Sequence, residues 1–183
     1  MNIWQEFAQK TNGTFKEGYS WNSDSTEIEY KNWKIIFDNY TLWSGKYSNE
    51  LTRVIVPVKL QDNYRLEIYT EGLVRKIEKF FGAQDIEIGY PEFDHAFTIK
   101  SNNEFKTKSL LRDKNIRNLI QSQKEVNILI SDQKGIWGEK LPDNEFELSY
   151  FIDDEIDNFE TPYSLLELFK ALLDELFQLN LIK

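Results

Sequence analysis

The sequence predicts an α+β fold: one domain over residues 1–183, built on a mostly antiparallel or mixed sheet with helices packed on one face and a long helix at the C-terminus. Three observations predict it. Several segments between Thr14 and Ile152 alternate apolar and polar residues with period two. The first ten residues and the last twenty-odd instead repeat their apolar residues at helical spacing. No low-complexity stretch, repeat or Pro/Gly-rich linker divides the chain.

The elements follow in order. Ile3, Trp4, Phe7 and Ala8 make one stripe of a helix over Asn2 to Lys10, and Asn12-Gly13 supplies the left-handed residue that ends it. Trp33, Ile35 and Phe37 alternate with Lys34 and Asp38, a strand. Val54, Val56, Val58 and Leu60 line one face of the next, and Pro57, which has no N–H to give, places it at an edge or a bulge. Gln61-Asp62-Asn63 reads as a turn into Tyr64–Tyr69, so these two strands are expected to pair as a hairpin. Leu73, Ile77, Phe80 and Phe81 predict a short helix closed by Gly82. A strand is expected over Phe93 to Lys100, with Phe93, His95, Phe97 and Ile99 on one face. Ser101 and Glu104 have the spacing of a capping box, and Asp113 that of a second cap, which predicts two short helices broken near Leu110–Asp113. Val126–Ile130 and Phe146–Ile152 read as strands on either side of a loop with Gly135, Gly138 and Pro142. Thr161-Pro162 opens the final helix, in which Leu165, Leu168, Phe169, Leu172, Leu173, Leu176 and Phe177 form a wide apolar face.

Charge is segregated along the chain. Residues 1–138 hold 19 acidic and 19 basic side chains, while 139–183 hold 12 and 3, so the C-terminal quarter carries the whole net charge of −9. Within the balanced part, 100–124 has 7 basic and 2 acidic residues. An acidic chain is a poor ligand for nucleic acid or an anionic membrane, so neither is an expected partner. There is no cysteine, which removes disulfides, thiolate metal sites and a cysteine nucleophile, and fits a reducing compartment. The N-terminus lacks a basic patch followed by an apolar run, and charges interrupt the C-terminal apolar stretch. A cytoplasmic location is the expectation.

The block Phe93-Asp94-His95-Ala96-Phe97-Thr98-Ile99-Lys100-Ser101, followed by Leu110-Leu111 and Ile116, resembles a family of uncharacterised bacterial proteins whose pattern is "FD..F.I.S" and then "LL" with a short helix. The matching residues are Phe93, Asp94, Phe97, Ile99, Ser101, Leu110 and Leu111. The resemblance implies no activity.

Chemistry-bearing motifs are few. There is no nucleotide-binding glycine loop and no nucleophile elbow, so no cofactor is expected and the sequence leans away from an enzyme. His95, the one histidine, is the catalytic candidate. On the expected strand Asp94 points to the opposite face, a poor partner for a general base. Asp153, Asp154, Glu155, Asp157 and Glu160 form the densest acidic run, read as a solvated loop that favours the N-terminus of the last helix rather than as a metal site. Aromatic residues are dense before residue 50 (Trp4, Phe7, Phe15, Tyr19, Trp21, Tyr30, Trp33, Phe37, Tyr40, Trp43 and Tyr47), and Trp43-Ser44-Gly45-Lys46-Tyr47 reads as a loop that exposes rings.

The expected binding residues are therefore Trp43, Tyr47, Asp153, Asp154 and Asp157. The expected function is a non-catalytic protein-interaction module, regulatory or immunity-like, whose protein partner is basic. The alternative is a small-molecule-binding protein or an unusual hydrolase using His95. The apolar face of the last helix leaves a homo-oligomer open.

Overall fold

In the computed structural model, which describes residues 2–71, 84–133, 140–153 and 156–183, and the side chains of all these except 42–44 and 84, α1 (Ile3–Thr11) leads into the sheet. Asn2 caps it by accepting the Trp4 N–H at 2.9 Å, and Asn12, left-handed at φ 54°, ends it. There follow β1 (Thr14–Lys16), β2 (Ser25–Tyr30), β3 (Trp33–Ser44), β4 (Tyr47–Val58), β5 (Leu66–Thr70), β6 (Gln84–Asp85), α2 (Pro91–Ala96), β7 (Phe97–Ser101), α3 (Glu104–Leu110), α4 (Lys114–Gln121), β8 (Asn127–Ser131), β9 (Phe146–Ile152) and α5 (Glu160–Gln178).

The nine described strands form one sheet in the order β1-β2-β3-β4-β9-β8-β5-β7-β6, antiparallel at every step. The α+β class is as the periodicities predict. The pairing registers Ile28↔Ile35, Phe37↔Val54, Val56↔Leu148, Leu148↔Ile130, Ile130↔Leu66 and Ile68↔Ile99 put one apolar residue after another on a single face. The helices cover that face. Trp4 and Phe7 come from α1, Leu110 from α3, Ile116 and Ile120 from α4, and Leu165, Leu168, Phe169, Leu172, Leu173 and Leu176 from α5. Each such fully buried side chain stabilises by about 1.5–3 kcal/mol. The apolar face of α5 is therefore enclosed in the chain's own core and is not open to a symmetry mate; Phe177, half exposed, rests edge-on against Trp33.

Five local expectations change. The β4–β5 hairpin does not form: β4 lies between β3 and β9, and β5 between β8 and β7. After Val58 the chain meets its own C-terminus instead, through a Leu60↔Ile182 bridge and a Gln61 N–H donated to Leu181 O. Pro57 thus sits in a central strand. The β3 ladder stops at Ile55, and Pro57 lies opposite Glu147 of β9 on the other side, so β4 is an edge locally at the proline. The expected strand over Phe93–Lys100 begins only at Phe97. Pro91 presets a helical φ, and the Asp94 carboxylate accepts the N–H groups of Ile88 (2.8 Å) and Gly89 (2.9 Å), which closes a turn where alternation predicted a strand. At α3 the cap is Asn103, accepting from Lys106 N at 3.0 Å, while Ser101 ends β7. At α5 Asn158 takes the N–H groups of Glu160 and Thr161, so Pro162 falls inside the first turn, where its missing N–H still has no partner to lose. The helix expected at Leu73–Phe81 lies outside the described residues, as do Gly135 and Gly138.

Candidate interaction surface

β3 and β4 run nine consecutive pairs from Ile36↔Ile55 to Ser44↔Tyr47 without a bulge. β2 covers β3 only to Asp38, and β9 covers β4 only from Thr52. The remaining residues form a two-stranded arm that projects past the sheet. Its tip is the two-residue loop Gly45-Lys46. Gly45 has φ 62° while Lys46 does not, the pattern of a type II′ turn that matches strand twist. Tyr47 is 81% exposed there. Trp43 pairs with Ser48 in the arm rather than in a loop; its side chain lies outside the described residues.

At the arm's root Arg53 donates from Nε and Nη2 to the two Asp38 carboxylate oxygens at 2.8 and 2.7 Å and lies 4.7 Å from the centre of the Tyr40 ring. Both charged groups are largely buried. Burial works to strip the guanidinium of its proton; the hydrogen bonds and charge of Asp38, with the charge of Glu147, more than offset this and shift it upward. Leu51, Phe151 and Tyr40 pack beside the pair as a small apolar cluster on the sheet face opposite the helices.

Beside the arm runs the loop between β1 and β2. A Cβ on Gly18 would stand 2.3 Å from Asn22 O, so glycine alone fits this close backbone approach. The Asp24 carboxylate accepts the Gly18 N–H at 2.7 Å and a hydrogen bond from the Asn2 amide. Ser23 Oγ donates to Asn39 O (2.8 Å) and accepts from Asn39 N (3.0 Å), which fastens the loop to β3. From this tied loop Tyr19 and Trp21 stand into solvent, 86% and 94% exposed. A large ring held in water on an ordered loop buries almost none of the area that makes tryptophan stabilising.

On the arm's other side is the acidic segment. Asp153 accepts a hydrogen bond from Asn49 of β4, Asp157 accepts from Asn158 (2.9 Å), and Asp153, Asp157 and Glu160 are exposed. Asp154 lies outside the described residues. A groove of about 890 Å³ is lined by Lys124, Glu125, Asp153, Ile156, Asp157 and Glu160 among others, and Ile156 also lines a 370 Å³ hollow with Trp4, Asp24 and Asn39. Rings and carboxylates therefore meet at one end of the sheet. Among the described residues no group of three or more Asp, Glu or His could hold a metal ion.

His95 is elsewhere. It is exposed in the last turn of α2, and among the described residues it has no hydrogen-bond or ion-pair partner; Asp94 is engaged with Ile88 and Gly89. The basic segment is largely engaged within the fold. Lys100 faces Asp85 at 3.9 Å and Lys108 meets Glu104 at 2.6 Å. Lys106 donates to Leu179 O at the end of α5, and Arg117 donates to Leu111 O and Arg112 O while stacking 3.5 Å over Tyr90. Arg112, Lys114 and Lys124 remain exposed.

Sequence reasoning placed Tyr47, Asp153 and Asp157 in the site but did not single out Tyr19 and Trp21. The available signal was two rings within the turn-forming run Gly18-Tyr19-Ser20-Trp21-Asn22-Ser23-Asp24.

No family model and no curated protein matches the chain. Among solved structures it is similar to the crystal structure of the mycobacterial trehalose monomycolate transport factor A, TtfA, at 9% identity and a TM-score of 0.53, over 94% of this chain and 91% of that one. That likeness is one of fold. Among the described residues no helix is long and apolar enough to cross a membrane.

Proposed function

We propose that the chain is a non-catalytic interaction module, regulatory or immunity-like in its role, which binds a basic protein through the end of the sheet formed by the β3–β4 arm, the Tyr19–Trp21 loop and the Asp153–Glu160 segment. The observation that carries the reading is Trp21, 94% exposed on a loop held by Gly18, Ser23 and Asp24. Exposed tryptophan and tyrosine are the residues that dominate binding energy once a partner covers them. The adjoining carboxylates favour a cationic partner, both by long-range steering and because ammonium and guanidinium groups stack on such rings. The fold shared with a protein titled as a transport factor fits an accessory role as well. His95 lines neither hollow described above.

The test compares capture of partners from lysate by the wild-type protein and by a Trp21→Ala/Tyr47→Ala variant. The expected result is a basic protein retained by the first and lost by the second, with an association rate that falls as salt rises. The same proteins retained by both, or binding indifferent to salt, would overturn the reading.

A further inference from the structure

The arm has a backbone property separate from its rings. In a hairpin closed by a two-residue loop, the residues next to the loop exchange both hydrogen bonds, and the pairs then alternate. Ser44↔Tyr47 and Leu42↔Asn49 are thus bonded pairs, and Trp43↔Ser48 and Thr41↔Glu50 are not. In the unbonded pairs the N–H and C=O groups point away from the partner strand. On β4 these are the groups of Ser48 and Glu50. The same alternation brings Thr52 opposite Ile152, where β9 begins to pair. Among the described residues nothing pairs with the outer edge of Tyr47–Leu51.

Proteins blunt such edges with prolines, bulges or inward charges. This stretch has no proline and no bulge: its ladder is regular, its residues 47–50 are exposed, and its one charged side chain, Glu50, is acidic and so repels an acidic segment rather than a cationic one. The lane, open among the described residues, lies in line with β9, which stops at Ile152, and is bordered by Glu50 and by Asp153, which accepts from Asn49. A second copy of the chain would bring the same carboxylates and another net −9 to meet them, whereas a cationic segment is attracted.

We propose that an extended, lysine- or arginine-rich segment of the partner adds to the outer edge of β4 at Tyr47–Leu51 as a further antiparallel or parallel strand, continuing the lane of β9. Its backbone takes the outward N–H and C=O groups of Ser48 and Glu50, and its cationic side chains lie against Glu50 and Asp153. This rests on the interaction reading above and adds the mode of binding, which is strand addition rather than surface charge contact.

The test uses two labelled synthetic decapeptides of equal charge, (Lys-Val)5 and (Lys-Pro)5, of which the second has half the backbone donors and cannot form a ladder. Binding is read by fluorescence anisotropy to the wild-type protein and to Ser48→Pro. That substitution removes one outward N–H and leaves charge and rings unchanged. The expected result is that (Lys-Val)5 binds the wild type at least tenfold more tightly than (Lys-Pro)5, and that Ser48→Pro removes the difference. Should Ser48→Pro disturb the hairpin, the two-peptide comparison on wild-type protein still decides. Equal binding of both peptides would overturn strand addition and leave the interaction surface standing; binding of neither would overturn both. A wild-type dimer in light scattering that Ser48→Pro makes monomeric would assign the edge to a second copy and overturn the proposal.

Discussion

Replacing Asp38 by alanine takes away the carboxylate that accepts two hydrogen bonds from Arg53 at 2.8 and 2.7 Å, beneath the arm and largely shielded from water. A buried guanidinium left without its partner costs about 3–5 kcal/mol, far more than the ~0–1 kcal/mol of an exposed pair. The charge of Glu147 also acts on Arg53, so the lower end of that interval applies. With a urea dependence of about 2 kcal/mol/M, Asp38→Ala should lower the unfolding midpoint by about 1.5 M. Arg53→Met keeps much of the chain that packs on Tyr40 but leaves the largely buried Asp38 carboxylate unpaired in turn, and should cost a similar amount. The double variant Asp38→Ala/Arg53→Met removes both members of the pair, though Glu147 loses the attraction of the guanidinium, and should be more stable than Asp38→Ala by about 1–2 kcal/mol. Urea titrations followed by tryptophan fluorescence give all four values. An Asp38→Ala cost under about 1 kcal/mol, or a double variant as unstable as the sum of the single ones, would refute the reasoning.

Phe7 lies 5.0 Å from the Phe37 ring, 5.4 Å from Tyr163 and 6.5 Å from Phe159, joining α1, β3 and α5; Phe7→Ala should cost about 3–5 kcal/mol in the same titration. Asp113 caps α4 by accepting the Ile116 N–H at 3.0 Å, so Asp113→Ala should cost about 1 kcal/mol and Asp113→Asn much less. Burial pushes the Tyr64 hydroxyl up to about 12, against the lowering effect of its contacts with Thr107 and Ser101. Because the folded value lies above the unfolded one of about 10, this contribution is full below pH 10 and is lost as pH rises towards 12, by about 3 kcal/mol in all. Burial raises Tyr150 as well. Melting temperatures measured from pH 8 to 12 should therefore fall steeply above pH 10, and less steeply in Tyr64→Phe; a slope unchanged by the substitution would count against the assignment.

What the sequence revealed was local. α1 was legible because the Ile3-Trp4-Phe7-Ala8 stripe and the Asn12-Gly13 stop agree, and α4 because Asp113 precedes Ile116 and Ile120 at the right spacing. β9 was legible as Phe146–Ile152 from alternation. Strand neighbours were not, since pairing partners are chosen by the whole core: Val54 finds Tyr150, nearly a hundred residues away, while Gln61 turns to Leu181. His95 was misplaced because Phe93 and Phe97, spaced by four, suit a helical turn as well as a strand face; the turn of α2 brings their rings to 4.6 Å, a contact that a continuous strand would not allow. In the candidate site, Tyr47 and the Asp153 region could be picked out by composition. Trp21 could not, because its exposure follows from the closure of the Gly18–Asp24 loop, a matter of backbone contact rather than periodicity.

Amide hydrogen exchange of the protein with and without (Lys-Val)5, resolved by residue, tests the central claim most directly. The account predicts new protection at Ser48 and Glu50, with changes confined to the arm, the 18–24 loop and 153–160. Protection centred on α3 and α4 or around His95, with the arm unchanged, would contradict it.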